Sequence, residues 1–152
     1  MKVLNSYKPT VSALILNSKN QALLTHNKNH GPDFWKFPQG GLEPKESRQE
    51  AIMREMEEEL GTKELDILKE SSIRFKYEWP KEIQEKKGYK GPELTFFILR
   101  CKDEESLTPN KAELDRIKWV NLGELPSFFT TLPDLQPVLQ KLINEARLLI
   151  KL

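Results

Sequence analysis

The stretch Gly40-Gly41-Leu42-Glu43-Pro44-Lys45-Glu46-Ser47-Arg48-Gln49-Glu50-Ala51-Ile52-Met53-Arg54-Glu55-Met56-Glu57-Glu58-Glu59-Leu60-Gly61-Thr62 decides how the rest of the chain is read. It opens as a loop. Ser47-Arg48-Gln49-Glu50 then has the spacing of a capping box, in which the Ser hydroxyl and the Glu carboxylate cover N–H groups left open by a first helical turn. Ile52, Met56 and Leu60 recur every four residues and predict one apolar stripe. Gly61 is placed to supply the left-handed residue that ends the helix. On that helix Glu55, Glu58 and Glu59 stand at i, i+3 and i+4. At about 100° per residue they share one sector beside the stripe. The helix is thus expected to dock by one edge and present three carboxylates along the next. Carboxylates this close raise one another's pKa. A hard divalent cation such as Mg²⁺ removes that cost. Glu46 precedes Arg54 by eight residues, so the two are expected to pair and tie the loop to the helix.

Outward from this segment the chain reads as short strands. Val11 to Leu16 and Gln21 to Thr25, separated by Asn17-Ser18-Lys19-Asn20, predict two strands and a polar turn. His26 to Asp33 reads as a polar surface loop carrying His26 and His30. Phe34-Trp35-Lys36-Phe37 reads as a short strand stopped by Pro38. Downstream, Ile73 to Tyr77, Glu93 to Cys101 and Ile117 to Val120 read as strands, and Lys81 to Gly91 as a charged mobile loop. Asp134 is expected to cap a last helix with Pro137 in its first turn. Strands interleaved with two helices predict a sheet covered on both faces.

Composition bounds the function. The chain has 152 residues, 24 Lys and Arg against 23 Asp and Glu, and a formal charge of +1. That length suits one domain over residues 1–152, and the charge argues against DNA coating. No apolar run approaches the roughly 18–20 residues of a bilayer span, so no membrane partner is expected. Met1 to Tyr7 lacks the apolar core of a secretory leader. Cys101 is alone, which excludes an internal disulfide and makes a reducing, cytoplasmic setting the expectation. The even balance hides an asymmetry. Glu43, Glu46, Glu50, Glu55, Glu57, Glu58 and Glu59 crowd one segment, and Arg74, Lys76, Lys81, Lys86, Lys87 and Lys90 another. An acidic and a basic patch on one small domain suit a metal-plus-polyphosphate site.

The residues Gly40, Glu46, Arg54, Glu55, Met56, Glu58, Glu59, Gly61 and Thr62 fit G-x5-E-x7-R-E-U-x-E-E-x-G-U, where U is aliphatic. This is the Nudix box, and the chain resembles a Nudix hydrolase. Met56 and Thr62 depart from the aliphatic positions; neither replaces a ligand. The resemblance implies an α/β/α Nudix sandwich with a mixed β-sheet and a loop–helix–loop catalytic motif. It also implies hydrolysis of a nucleoside diphosphate linked to another moiety, with helix glutamates binding two or three Mg²⁺ or Mn²⁺ ions.

The flanks resemble bacterial RNA 5′-pyrophosphohydrolases and the related dinucleoside-polyphosphate hydrolases. Trp35-Lys36-Phe37-Pro38-Gln39-Gly40-Gly41 is similar to W-x-F-P-Q-G-G, Tyr7-Lys8-Pro9 to Y-R-P, and Tyr77-Glu78-Trp79-Pro80-Lys81 to Y-x-x-P-K. Glu113-Leu114-Asp115 and Trp119-Val120 resemble E-F-D and W-V. In the departures, Lys8 stands for Arg and Gly91 to Phe97 lacks two Gln. The base-stacking aromatic before the last helix has only Phe128, Phe129 and Leu132 as candidates.

The resemblance assigns Glu55, Glu58, Glu59 and Glu113, with Gly40, to the metals. Glu58 is favoured as the base, beside Glu55, Glu59 and Arg54 in the catalytic set. Lys8, Lys36, Gln39, Gly41, Lys76, Tyr77 and Lys81 are expected to hold substrate, and Glu46 and Gly61 to shape the motif. The leading expectation is removal of pyrophosphate from triphosphorylated RNA 5′ ends. The alternatives are Ap4A-type dinucleoside-polyphosphate hydrolysis, a nucleotide or nucleotide-sugar pyrophosphatase, and a non-catalytic Nudix domain that binds nucleotide or RNA. The intact glutamate set weighs against the last. Neither monomer nor dimer is specified.

Overall fold

A computed structural model describes residues 4–151; Met1, Lys2 and Val3 of the stretch read for a leader, and Leu152, lie outside the described residues. Six strands form one mixed sheet: β1 (Lys8–Leu16), β2 (Gln21–Asn27), β3 (Gln39–Gly41), β4 (Leu65–Lys76), β5 (Pro92–Cys101) and β6 (Leu114–Asn121). The order is β4-β5-β1-β2-β6, with β1 and β5 parallel and the other pairs antiparallel. β1 lies at the centre, and its residues from Thr10 to Leu16 are buried. A strand covered on both faces needs such a continuous apolar run. The helices α1 (Arg48–Leu60), α2 (Lys81–Lys87) and α3 (Leu135–Ile150) complete the chain.

The pleat of β1 divides the core into two. Val11, Ala13 and Ile15 pack with Ile52, Met56 and Leu60 of α1. Leu14 and Leu16 pack with Leu139, Leu142 and Ile143 of α3. The α/β/α arrangement follows. Among the described residues no helix is long and apolar enough to cross a membrane.

One edge of β1 is shared. Its end pairs with β2 through Leu16 and Ala22, while Thr10, Val11 and Ser12 pair with Gly41, Gly40 and Gln39 of β3. The two partners diverge, and the candidate site lies at that divergence.

Several sequence expectations need correction. Phe34 to Phe37 makes only an isolated bridge, Thr25 to Lys36, and the strand lies beyond Pro38 at Gln39–Gly41. The carbonyls of Lys36 and Pro38 are taken by Thr25 and Ala13, which fixes the segment without a regular ladder. Lys81 to Lys87 is helical, ended by Gly88 at φ 79°. Nothing in it is buried, so it has no apolar stripe for periodicity to report. β4 begins at Leu65 and runs through a polar, half-exposed sequence. Asp134 precedes α3 without a side-chain capping bond. His26 is buried rather than on the surface, because its ring nitrogens meet Asp115 at 2.6 Å and the Gly31 carbonyl at 2.7 Å.

Candidate active site

The capping box forms as read: Ser47 Oγ accepts from the Glu50 N–H at 3.1 Å, and the Glu50 carboxylate from the Ser47 N–H at 3.0 Å. Gly61 adopts the left-handed cap at φ 67°. Met56 is fully buried, so it serves the aliphatic position. Thr62 is buried too, and its hydroxyl is 2.6 Å from that of Ser106.

Arg54 gathers the loop and the helix. Its Nε and a terminal nitrogen donate to both Glu46 oxygens at 2.6 and 2.8 Å. The same terminal nitrogen donates to the Gly41 carbonyl at 3.0 Å, and the other to Glu55 at 2.9 Å and Glu58 at 3.3 Å. Fork-to-fork charge-assisted bonds of this kind fix direction as well as distance. They hold the Glu46 carboxyl down at about 2, with a backbone bond from Glu43 adding to the effect. The guanidinium is pushed further above its ordinary range.

The three glutamates differ in setting. Glu59 is buried, and its carboxylate accepts from the Gln39 N–H at 3.1 Å. Burial raises its carboxyl to about 8; Lys36 opposes that shift, and Glu55 and Glu113 add to it. The Glu55 side chain is 14% exposed, and burial raises its carboxyl against the pull of Arg54. Glu58 is 57% exposed and faces solvent. Gly40 explains its own identity, because a Cβ there would overlap the Glu55 carboxylate.

Glu113 arrives from the loop before β6. Its charge is felt at Glu55, Glu59 and Lys36. The loop is fastened to the end of α1: Thr108 N–H donates to the Leu60 carbonyl at 2.7 Å and Asn110 N–H to the Glu59 carbonyl at 2.8 Å. These are carbonyls that a helix end leaves open. Lys28 N–H holds the far side of the loop through the Glu113 carbonyl at 2.9 Å.

Two carboxylates turned inward at Glu55 and Glu59, with exposed Glu58 and Glu113 beside them, offer oxygen donors only, a set that a hard divalent cation suits. Glu55, Glu58, Glu59 and Glu113 would hold it, with the Gly40 backbone alongside. Among the described residues no three acidic, His or Cys side chains yet converge as a finished metal cage. Arg54 reaches both Glu55 and Glu58 and stands between them.

Beyond β3 lies a recess lined by Ser12, Phe34, Lys36, Gln39, Tyr77 and Phe129, among others. Lys36 belongs to both regions, and burial lowers its ammonium pKa against the attraction of Glu59 and Glu113. Burial raises the phenol of Tyr77, and the neighbouring Gln39 side chain opposes that shift. Of the three stacking candidates, Phe129 and Leu132 line the recess, and Phe129 lies against Phe37 with ring centres 5.1 Å apart. Phe128 instead faces Lys118. Lys8 packs over Gly41, and Lys76 sits 4.7 Å from the Tyr7 ring centre, in a second recess that shares Phe75, Tyr77 and Leu132. Lys81 stands exposed at the first residue of α2. Ser12, not singled out from the sequence, also lines the recess. Its signal was a lone hydroxyl inside the apolar run Val11 to Leu16.

The chain is similar in sequence and in fold to known proteins. The NUDIX domain profile matches residues 6–143. An RNA pyrophosphohydrolase from a Nitratiruptor species is 32% identical, over 91% of this chain and 92% of that protein. The E. coli dihydroneopterin triphosphate pyrophosphohydrolase superposes with a TM-score of 0.72 at 17% identity, covering 93% of this chain and 99% of the other. A C. elegans Ap4A hydrolase does so at 0.64 and 16% identity, covering 88% and 94%. At these identities the two structures speak for the fold.

Proposed function

Because the chain belongs to the Nudix family of hydrolases, we propose that it is an Mg²⁺-dependent pyrophosphohydrolase that converts 5′-triphosphate RNA to 5′-monophosphate RNA. The observation that carries this reading is Lys36, which lies between the buried Glu59 and a recess walled by aromatic rings. Phosphates and a nucleoside are thereby given adjoining places. The name of the Nitratiruptor relative supports RNA as the substrate.

In the reaction, water attacks a phosphorus and the anhydride bond between the first and second phosphates breaks. Pyrophosphate leaves. A bound divalent cation supplies neutralisation of the phosphate oxygens and acidifies water. Glu58, open to solvent, takes the proton from the attacking water, while Glu55 and Glu59 are turned in toward β3. Arg54 keeps the helix carboxylates and the Gly41 backbone in one frame. Lys8, Lys36, Lys76 and Lys81 offset charge on the phosphate chain, and the bare Gly41 lets backbone approach it. Positioning and charge neutralisation are the main needs of phosphoryl transfer.

The two adjoining recesses favour a substrate with two nucleosides, a property RNA shares with dinucleoside polyphosphates. The test is a panel of short 5′-triphosphate RNA, Ap4A, dGTP and ADP-ribose with Mg²⁺, products resolved by chromatography. Pyrophosphate released fastest from RNA is the expected result. Inert RNA with rapid cleavage of Ap4A would reassign the substrate.

A further inference from the structure

Ser12 is fully buried, and its Oγ is the one buried side-chain polar atom among the described residues without a hydrogen-bond partner. Buried hydroxyls are ordinarily satisfied, and leaving one open costs desolvation energy that nothing returns. Neighbouring hydroxyls on the sheet show the usual solution. Thr10 Oγ1 donates to the Lys8 carbonyl at 2.9 Å, and Thr25 Oγ1 to the Lys36 carbonyl at 3.2 Å.

The position of Ser12 is set by register. It pairs with Gln39 on one side and Phe96 on the other. All three line the recess. The walls around them are rings, Phe34, Trp35, Phe37, Phe75 and Phe129 among them, and Lys36 closes the end toward the carboxylates. The recess is narrow, with about 40 Å³ roomy enough for water. An entering base must therefore widen it, and Thr131 and Leu132 on the turn before α3 are among its lining. Aromatic walls recognise any base by its face; discrimination needs a polar group aimed at an edge.

We propose that Ser12 is a specificity-determining residue of this site, its Oγ hydrogen-bonding the edge of the base carried by the first nucleoside of the substrate. A hydroxyl both donates and accepts, so it can complete a base edge of either polarity. The serine itself adds no desolvation cost on binding, because it is already buried and fixed by the sheet. This inference rests on the proposed function for its ligand class.

The test compares the wild-type chain with Ser12→Ala on two ligands. One is a 5′-triphosphate RNA trinucleotide; the other is the same RNA lacking the first base. Loss of one neutral hydrogen bond should lower kcat/KM about tenfold on the first and leave the second unchanged. Calorimetric binding of the corresponding 5′-monophosphate RNAs should show the same pattern without depending on turnover. Ser12→Ala should melt at or above the wild type, since it removes an unpartnered buried group. An equal loss on both ligands, or none on either, would overturn the assignment. A wild-type chain that leaves the triphosphate intact yet binds the monophosphates with the expected difference would sink the proposed reaction and leave Ser12 in place.

Discussion

Gly61→Ala tests the joint between α1 and the loop that carries Glu113. Gly61 stands at φ 67°, where an L side chain costs about 1–2 kcal/mol. An added Cβ would overlap Thr108 Oγ1 and lie 2.8 Å from the Thr108 carbonyl. Thr108 must then shift, and its 2.7 Å bond to the Leu60 carbonyl is strained or lost, at about 1 kcal/mol. The sum is about 2–3 kcal/mol, which for a chain of this size lowers Tm by about 4–12 °C. Glu113 lies five residues beyond Thr108 on the same loop, so kcat should fall with Tm. Scanning calorimetry gives the first number and RNA hydrolysis at a temperature well below both transitions the second. Thr108→Ala in the Gly61→Ala background removes the overlap with Oγ1 but neither the carbonyl contact nor the backbone strain, so it should recover part of the Tm. If Gly61→Ala melts with the wild type and turns over at the same rate, the joint is not what holds the loop.

Glu58→Gln should lower kcat by orders of magnitude with Tm unchanged, because the side chain is 57% exposed and bears little on packing; unchanged turnover would remove Glu58 as the base. The Glu46 carboxyl is held at about 2 against an ordinary 4.5. A depressed carboxyl contributes stability above its unfolded value and loses it as pH falls through the folded one. Acid titration between pH 4.5 and 2 should therefore lower Tm less in Glu46→Gln than in the wild type. Glu59 has the opposite sign: raised to about 8, it costs stability as pH climbs from 4.5 toward 8. Metal-free Glu59→Gln should gain Tm over the wild type at pH 8 but not at pH 4, and Mg²⁺ should raise the wild-type Tm more at pH 8 than at pH 5. Thermal scans with and without chelator decide it, and a pH-independent Mg²⁺ effect would count against a cation at Glu59.

The parts legible in the sequence were those with a local period or a fixed spacing. Ser47, the Ile52/Met56/Leu60 stripe and Gly61 bound α1 from both ends, and the eight-residue offset placed Glu46 against Arg54. What was not legible depended on distant partners. His26 reads as a loop residue until Asp115, 89 positions away, meets it in the neighbouring strand. β4 carries polar residues because it is an outer strand and is half open to water. α2 carries a single apolar residue, the exposed Ile83, so its helix leaves no apolar stripe in the sequence. The proposed role of Ser12 follows from a missing partner, and a missing partner has no sequence pattern.

β3 is only three residues long, and its pleat sends them to opposite sides. Gly40, paired with Val11, faces the carboxylates of α1, while Gln39 and Gly41, paired with Ser12 and Thr10, face the recess and Lys8. The strand is a partition between two compartments. A side-chain change at Gln39 alters the recess while its backbone N–H can still hold Glu59, whereas the middle position admits no side chain at all.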